Sequence, residues 1–179
     1  MELSLAPGPI LYLLLAEVLY LRAVRILGRR GYAVPAWQQV AWHVAIACMA
    51  VGLMGPLDPL ADELLVAHMG QHLLIADIAA PLLLVGLRSP VYAFLIPRPV
   101  LVPLARCEPL RSAFRFLRQP LVAIPVWIVT LYGWHFGFMF EGALGNELVH
   151  ALHHQTFVLS SLLVWWLVIE PKMGRLPGD

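Results

Sequence analysis

Long apolar runs alternate along this chain with short segments where charge or proline accumulates. A helix crosses roughly 30 Å of hydrocarbon in about 20 residues, and five runs reach that length: approximately 9–27, 36–56, 63–87, 119–140 and 147–169. The pattern predicts an all-α integral membrane protein, a bundle of about five transmembrane helices forming one domain over residues 1–179. Between the third and fourth runs lies RSPVYAFLIPRPVLVPLARCEPLRSAFRFLRQ, apolar in patches but broken by Pro90, Pro97, Pro99, Pro103 and Pro109, with Arg98 midway. We place it at the membrane surface as a Pro-rich interfacial loop. Its EPLRSAFRFLR stretch reads as a short amphipathic helix whose arginines face headgroups while Phe114, Phe116 and Leu117 dip inward.

Composition agrees with the pattern. With 60% hydrophobic and 13% charged residues, the chain has too little polar surface to wrap a water-soluble domain of this size. A net charge of +1, with no Gly-rich phosphate loop and no zinc-finger spacing, gives no reason to expect a nucleic-acid partner. The two cysteines, Cys48 in an apolar run and Cys107 in the basic loop, differ in expected depth and do not suggest a disulfide. The N-terminal run starts acidic and continues well past signal-peptide length, so it is read as a retained span.

Charge also orients the bundle. Arg22, Arg25, Arg29 and Arg30 close the first run, six arginines from Arg88 to Arg118 fill the long loop, and Lys172 and Arg175 follow the fifth run. The opposite loops, PLDPLADE and EGALGNE, carry only acids. The positive-inside tendency therefore puts the N-terminus outside, the C-terminus in the cytoplasm and the long loop on the cytoplasmic face. The six tryptophans fall toward span ends or one turn in, where interfacial anchoring and packing is the expected role.

Converting topology into depth isolates one layer. His68 and His72 fall roughly 8 and 14 Å below the outer boundary, His135 roughly 8 Å, and His150, His153 and His154 roughly 5 to 11 Å. Six of the seven histidines thus converge on the outer half of the membrane. Helical positions four apart share a face, so His68 with His72 and His150 with His154 each resemble half a metal site. His135 and Met139 are also four apart, and Met69 and Met54 belong to the same outer layer. Imidazole suits several transition metals, and thioether favours cuprous copper. His153 is set roughly 100° round the helix from His154 and is a candidate additional ligand. Asp77, about 7 Å of rise beyond His72, is too far for direct coordination to the same ion and is read as an outer hydrogen-bonding group. His43, near the cytoplasmic end of the second run, is read as an ordinary hydrogen-bonded packing residue. Glu17, at mid-depth in the first run, has the choice of pairing, proton relay or ligand support.

Two stretches carry a family likeness. AHMGQHLLIADIAAPLLLVGLRSP, followed by QPLVAIPVWIVTLYGWHFGFMFEGALGNELVHALHHQTFVLSSLLVWWLV, resembles the multi-span CtaG family of cytochrome c oxidase assembly factors associated with caa-type oxidases. The likeness runs from about Val66 to Val168: the H-x-x-x-H of span three, the proline-leucine run after it, the Trp-His near the end of span four and the histidines opening span five. It implies a bacterial plasma-membrane protein that assists metallation of the copper-containing terminal oxidase. Its partners would be oxidase subunits, an extracytoplasmic copper donor and the lipid bilayer, and a homo-oligomer is compatible with it. The matching motif positions are His68, His72, His135, His150 and His154. His153 stands where an acid is expected in many relatives, and Asp77 where an apolar residue is expected.

The residues themselves leave alternatives open. Facing histidines from spans three and five could ligate a b-type haem for electron transfer. Three histidines could hold zinc with an open position in a membrane enzyme, with Glu141 or Glu147 as acid or base. The histidines could also only hydrogen-bond between helices in an oxidase-associated scaffold. No serine or cysteine nucleophile and no acid pair is placed for hydrolysis, so a non-enzymatic, copper-binding role is the leading expectation.

Overall fold

The computed structural model describes residues 7–54 and 57–169, a few of them by backbone alone. Lys172 and Arg175, and the last two residues of the second expected run, lie outside the described residues, as do the side chains of Glu141 and Glu147. Helices account for every regular element among the described residues.

The first two long helices are α1, Pro7–Arg29, and α2, Ala36–Met54. Gly31 makes the turn between them at φ 81°, where Gly31 N–H reaches the Gly28 carbonyl and Tyr32 N–H the Leu27 carbonyl. This paired closure satisfies the last helical carbonyls and needs a left-handed residue, which glycine supplies without a Cβ penalty. A short α3, Leu57–Glu63, precedes the third long helix. That helix is continuous over Leu65–Gly86 but changes winding within its length. It begins as α4, Leu65–His72, passes through a π-helical segment, Leu73–Ala79, and finishes as α5, Ala80–Gly86.

The Pro-rich loop folds into α6, Val91–Leu95, α7, Arg98–Arg106, and α8, Glu108–Leu117. Pro90 and Pro97 sit at the N-caps of α6 and α7, and prolines open the first turns of α7 and α8. There the missing N–H would have had no helical partner anyway, so proline starts these helices instead of breaking them. Every residue of α8 but Leu117 is exposed, and α8 meets the following helix at a bend of 75°. That geometry suits a helix lying along a surface ahead of one that dives.

Next come α9, Pro120–Trp134, and α10, Gly137–Gly145. The expected fourth run, 119–140, is therefore not one helix. It breaks at His135 and Phe136, the latter with extended ψ 135°, and Gly133 and Gly137, weak helix formers, flank the break. The last helix, α11, Glu147–Ile169, coincides with the expected fifth run. Asn146 caps it, its side-chain oxygen accepting N–H bonds from Leu148 at 2.9 Å and Val149 at 3.2 Å. Neither glycine nor proline occurs within its 23 residues.

Three helices among the described residues are long and apolar enough to cross a membrane, four if α8 and α9 count as one bent span. Helix α1 matches them in length with 23 residues but carries Glu17, Arg22, Arg25 and Arg29.

Helix α2 packs along α5 and the π-helical segment, α11 lies against α9 and α5, and α1 leans on α2 and α6. Two apolar clusters fill the interior. One joins Leu13, Met49, Leu53, Ile75, Ala79 and Val158; the other joins Tyr20, Ala23, Leu27, Val34, Trp42 and Val91. Large apolar side chains also point outward, Leu11, Leu14, Leu15 and Val18 from α1 and Leu121 and Val129 from α9 among them. So much outward apolar surface suits a lipid surround better than water.

Four of the tryptophans make the packing contacts expected of them. The Trp42 indole N–H donates to Glu17 Oε2 at 2.9 Å, Trp127 to Ser161 at 3.3 Å, Trp134 to Thr156 at 2.9 Å and Trp165 to the Ala76 carbonyl at 3.1 Å. Away from water an indole N–H needs an acceptor, and neighbouring helices provide one at these positions. His43 has the polar partner expected of it, its Nδ1 3.2 Å from Glu17 Oε1, although its side chain is exposed. Glu17 thus holds two residues of α2.

Candidate metal centre

Three chain segments bring imidazoles together. His68 and His72 lie on α4, one turn apart, with Nε2 atoms 2.8 Å apart and rings edge-on at 4.3 Å between centroids. Both are buried, at 3% and 2% exposure. Helical spacing creates this pair, and the π-helical segment that follows lets the chain leave it at a shifted angle, a device common at functional sites. Gln71, between them in sequence, donates to the Gly52 carbonyl at 2.6 Å and ties the turn to α2.

His135 comes from the break between α9 and α10. Its Nδ1 lies 2.5 Å from the Leu131 carbonyl oxygen. A carbonyl only accepts, so Nδ1 carries the proton and Nε2 keeps the lone pair. The His135 ring stands 6.3 Å from that of His68 and 5.8 Å from that of His72. One nitrogen from each of His68, His72 and His135 lies within 4.8 Å of the other two.

The first turns of α11 supply the rest. His154 is 5.9 Å from His72 and 4.5 Å from His150, ring to ring. His153 sits deepest: it is 1% exposed, with ring distances of 4.8 Å to His72, 5.7 Å to His68, 5.5 Å to His154 and 6.5 Å to His150. The sequence offered it only as an additional candidate beside the two i,i+4 pairs. His153 is three residues after His150, about 60° from it round the helix. The buried arc of α11, packed against both α9 and α5, is wide enough to include it.

Several of these nitrogens lack a protein partner. His72 Nδ1, His135 Nε2, His154 Nε2 and both ring nitrogens of His153 are buried with no hydrogen-bond partner among the described residues. Leaving a buried polar group unsatisfied costs about 1–3 kcal/mol, so four rings in this condition indicate a site built for something else. Neutral imidazole nitrogens are ligands for copper, zinc, iron and nickel. Bonds of about 2.0 Å place neighbouring ligand nitrogens roughly 3 Å apart, and the His68–His72 separation of 2.8 Å fits that. The residues present fit a transition-metal ion.

Other candidates stand apart. Met69 and Met139 are each 39% exposed, so neither is enclosed with the buried imidazoles. Met139 was expected on the face of His135, but the helix ends between them and the shared-face premise fails. Met54 packs against the apolar cluster around Leu53. Asp77 is exposed on the π-helical segment. His43 belongs to the Glu17 pair described above.

Sequence reasoning missed the aromatic wall of the site. Trp134 stacks on His153 at 4.8 Å and 26°, and Phe157 lies 4.4 Å from the His72 ring. The signal was present: Trp134 adjoins His135, and Phe157 is one turn beyond His153 and His154.

No curated relative and no solved structure matches the chain significantly. A family profile does, over residues 18–178, which include all six clustered histidines. The chain belongs to the cytochrome c oxidase caa3 assembly factor family, Caa3_CtaG.

Proposed function

We propose that this assembly factor takes copper as cargo, holds it on the membrane-embedded imidazoles of His68, His72, His135, His150 and His154, with His153 as an additional ligand, and assists metallation of the oxidase. The observation that carries the reading is the buried set of rings from α4, the α9–α10 break and α11 with nitrogens left unpaired. The family supplies the client, an oxidase under assembly, and such an oxidase is a destination for copper. Among the described residues the donor set is nitrogen-rich without an enclosed thioether, so the preference for copper rests on the client and not on sulfur ligation.

In this reading α1 is a fifth span beside the three long apolar helices and the α8–α9 pair. The N-terminus faces outward and the chain lies in the bacterial plasma membrane with its basic loop in the cytoplasm. The histidine layer then opens toward the outer leaflet, where an extracytoplasmic donor delivers copper and an oxidase subunit receives it sideways. The protein's own part is non-catalytic: imidazoles exchange one at a time around the ion. Haem is less well supported, because His72 and His153, facing across two segments, stand 4.8 Å apart ring to ring, with no room for a macrocycle between them.

Elemental analysis and an optical spectrum of detergent-purified protein from copper-replete, haem-replete cells test this. We expect retained copper, no Soret band, and less copper retained, with failed oxidase maturation, in His72→Ala. Copper no higher in the wild type than in a variant lacking all six histidines would reject the proposal.

A further inference from the structure

Six imidazoles are more than a single copper or zinc ion takes up, since protein sites for these metals use about three or four ligands. The six also divide. Among the described residues, the set whose ligand nitrogens all lie within 4.8 Å is His68, His72 and His135. On α11, His150 and His154 form a second close pair, with ring centroids 4.5 Å apart and 50° between planes. His150 is only partly buried, within one turn of the N-terminus of α11. His154 is 6% exposed, so this pair leads from a more open end of the cluster inward.

His153 stands between the two sets. Its ring is 4.8 Å from His72 on one side and 5.5 Å from His154 on the other. It is buried to 1% exposure, and neither ring nitrogen has a hydrogen-bond partner among the described residues. A neutral imidazole ordinarily uses one nitrogen as donor and one as acceptor. Trp134 holds the ring flat while its own N–H is turned away to Thr156, whose hydroxyl bonds back to the Leu152 and His153 carbonyls. The site thus fixes the plane of the His153 ring and leaves both nitrogens available.

We propose that the cluster holds two adjacent cation positions, an outer one on His150 and His154 and an inner one on His68, His72 and His135, with His153 as the ligand common to both. This rests on the copper-cargo reading above and adds to it a direction of travel. The ion arrives at the outer pair and moves to the inner trio as one imidazole nitrogen leaves it and another arrives. No electron is exchanged; when both positions are filled His153 bridges them as the imidazolate, and its ring N–H proton is released as the second ion binds. A division of this kind lets a weaker, more open position capture the ion and a tighter, enclosed one retain it.

The test is titration of the full-length protein in detergent with Cu(I), against a chromophoric chelator of known affinity. The wild type should bind two ions in resolvable steps. His150→Gln with His154→Gln should leave one ion at nearly unchanged affinity, and His68→Gln with His72→Gln should leave one ion bound more weakly. His153→Ala should weaken both steps by about tenfold or more, the usual scale for losing a site-defining group. One ion in the wild type, removed by either double substitution, would overturn the two-position arrangement and leave the single-site proposal standing. No bound ion would overturn both. Variants count only if they elute as monodisperse species with wild-type helical content, and the wild-type stoichiometry decides without them.

Discussion

Trp134 lies nearly flat against His153, with ring centroids 4.8 Å apart and 26° between planes, and donates its indole N–H to Thr156 at 2.9 Å. The contact joins the last residue of α9 to the second turn of α11. It fixes the orientation of an imidazole that has no hydrogen bond of its own among the described residues.

Removing that wall should loosen the metal. Trp134→Ala is expected to reduce copper affinity by about 10- to 100-fold, the range typical of residues that orient ligands. Trp134→Phe, which keeps the flat face but loses the N–H, should fall between it and the wild type. Competition with a copper chelator measures both, and unchanged affinity in Trp134→Ala would show that His153 needs no support.

The Glu17 carboxylate accepts the Trp42 N–H at 2.9 Å and lies 3.2 Å from His43 Nδ1. Trp42 is 3% exposed and stacked on Tyr20 at 4.4 Å and 5°. Glu17→Ala strands the indole N–H, which costs about 1–3 kcal/mol, and Glu17→Gln, which keeps an acceptor, should cost less. The expected result is a lower thermal midpoint with copper stoichiometry unaltered; loss of copper would tie this pair to the metal centre.

Helices α2 and α5 touch backbone to backbone at Gly86. A Cβ there would meet Trp42 Cβ at 2.7 Å and Trp42 Cα at 3.0 Å, and the Gly86 carbonyl also accepts from Gln38 at 3.0 Å. Gly86→Ala should therefore destabilise by about 1–3 kcal/mol, as overpacking does. At Gly70 nothing lies within 4 Å of an added Cβ, so Gly70→Ala should be neutral or gain several tenths of a kcal/mol from helix propensity. Denaturation of the two variants side by side checks the difference, and equal stabilities would refute the close crossing.

The proposed orientation can be read from one thiol. Cys107 is exposed between α7 and α8, whereas Cys48 is partly buried against an apolar cluster. A membrane-impermeant maleimide should label Cys107 in inside-out vesicles and leave it untouched in intact spheroplasts, with Cys107→Ser as the control. Labelling from the outer side would invert the topology and move the histidine layer to the cytoplasmic half.

Much of this arrangement was legible along the chain. The fifth apolar run matches α11 to the residue, the stretch after the prolines formed the expected short helix, and both i,i+4 histidine pairs bring their rings together. The pairing of His135 with Met139 failed because a helix break separates them, and periodicity assumes an unbroken helix. The partners of Trp42 and Trp134 were not legible, because position along a span says nothing about which neighbour a side chain meets.

Apolar run length located, from sequence alone, α1, α2, the Leu65–Gly86 helix and α11, because about 20 successive apolar residues are what a helix needs to stay in hydrocarbon. Only the tertiary structure decided which way each helix is turned about its axis. That rotation is set by packing against neighbours, by the crossing at Gly86 and by the π-helical segment after His72. It brought His153 to the centre, placed Trp134 behind it and left Met69, Met139 and Asp77 outside.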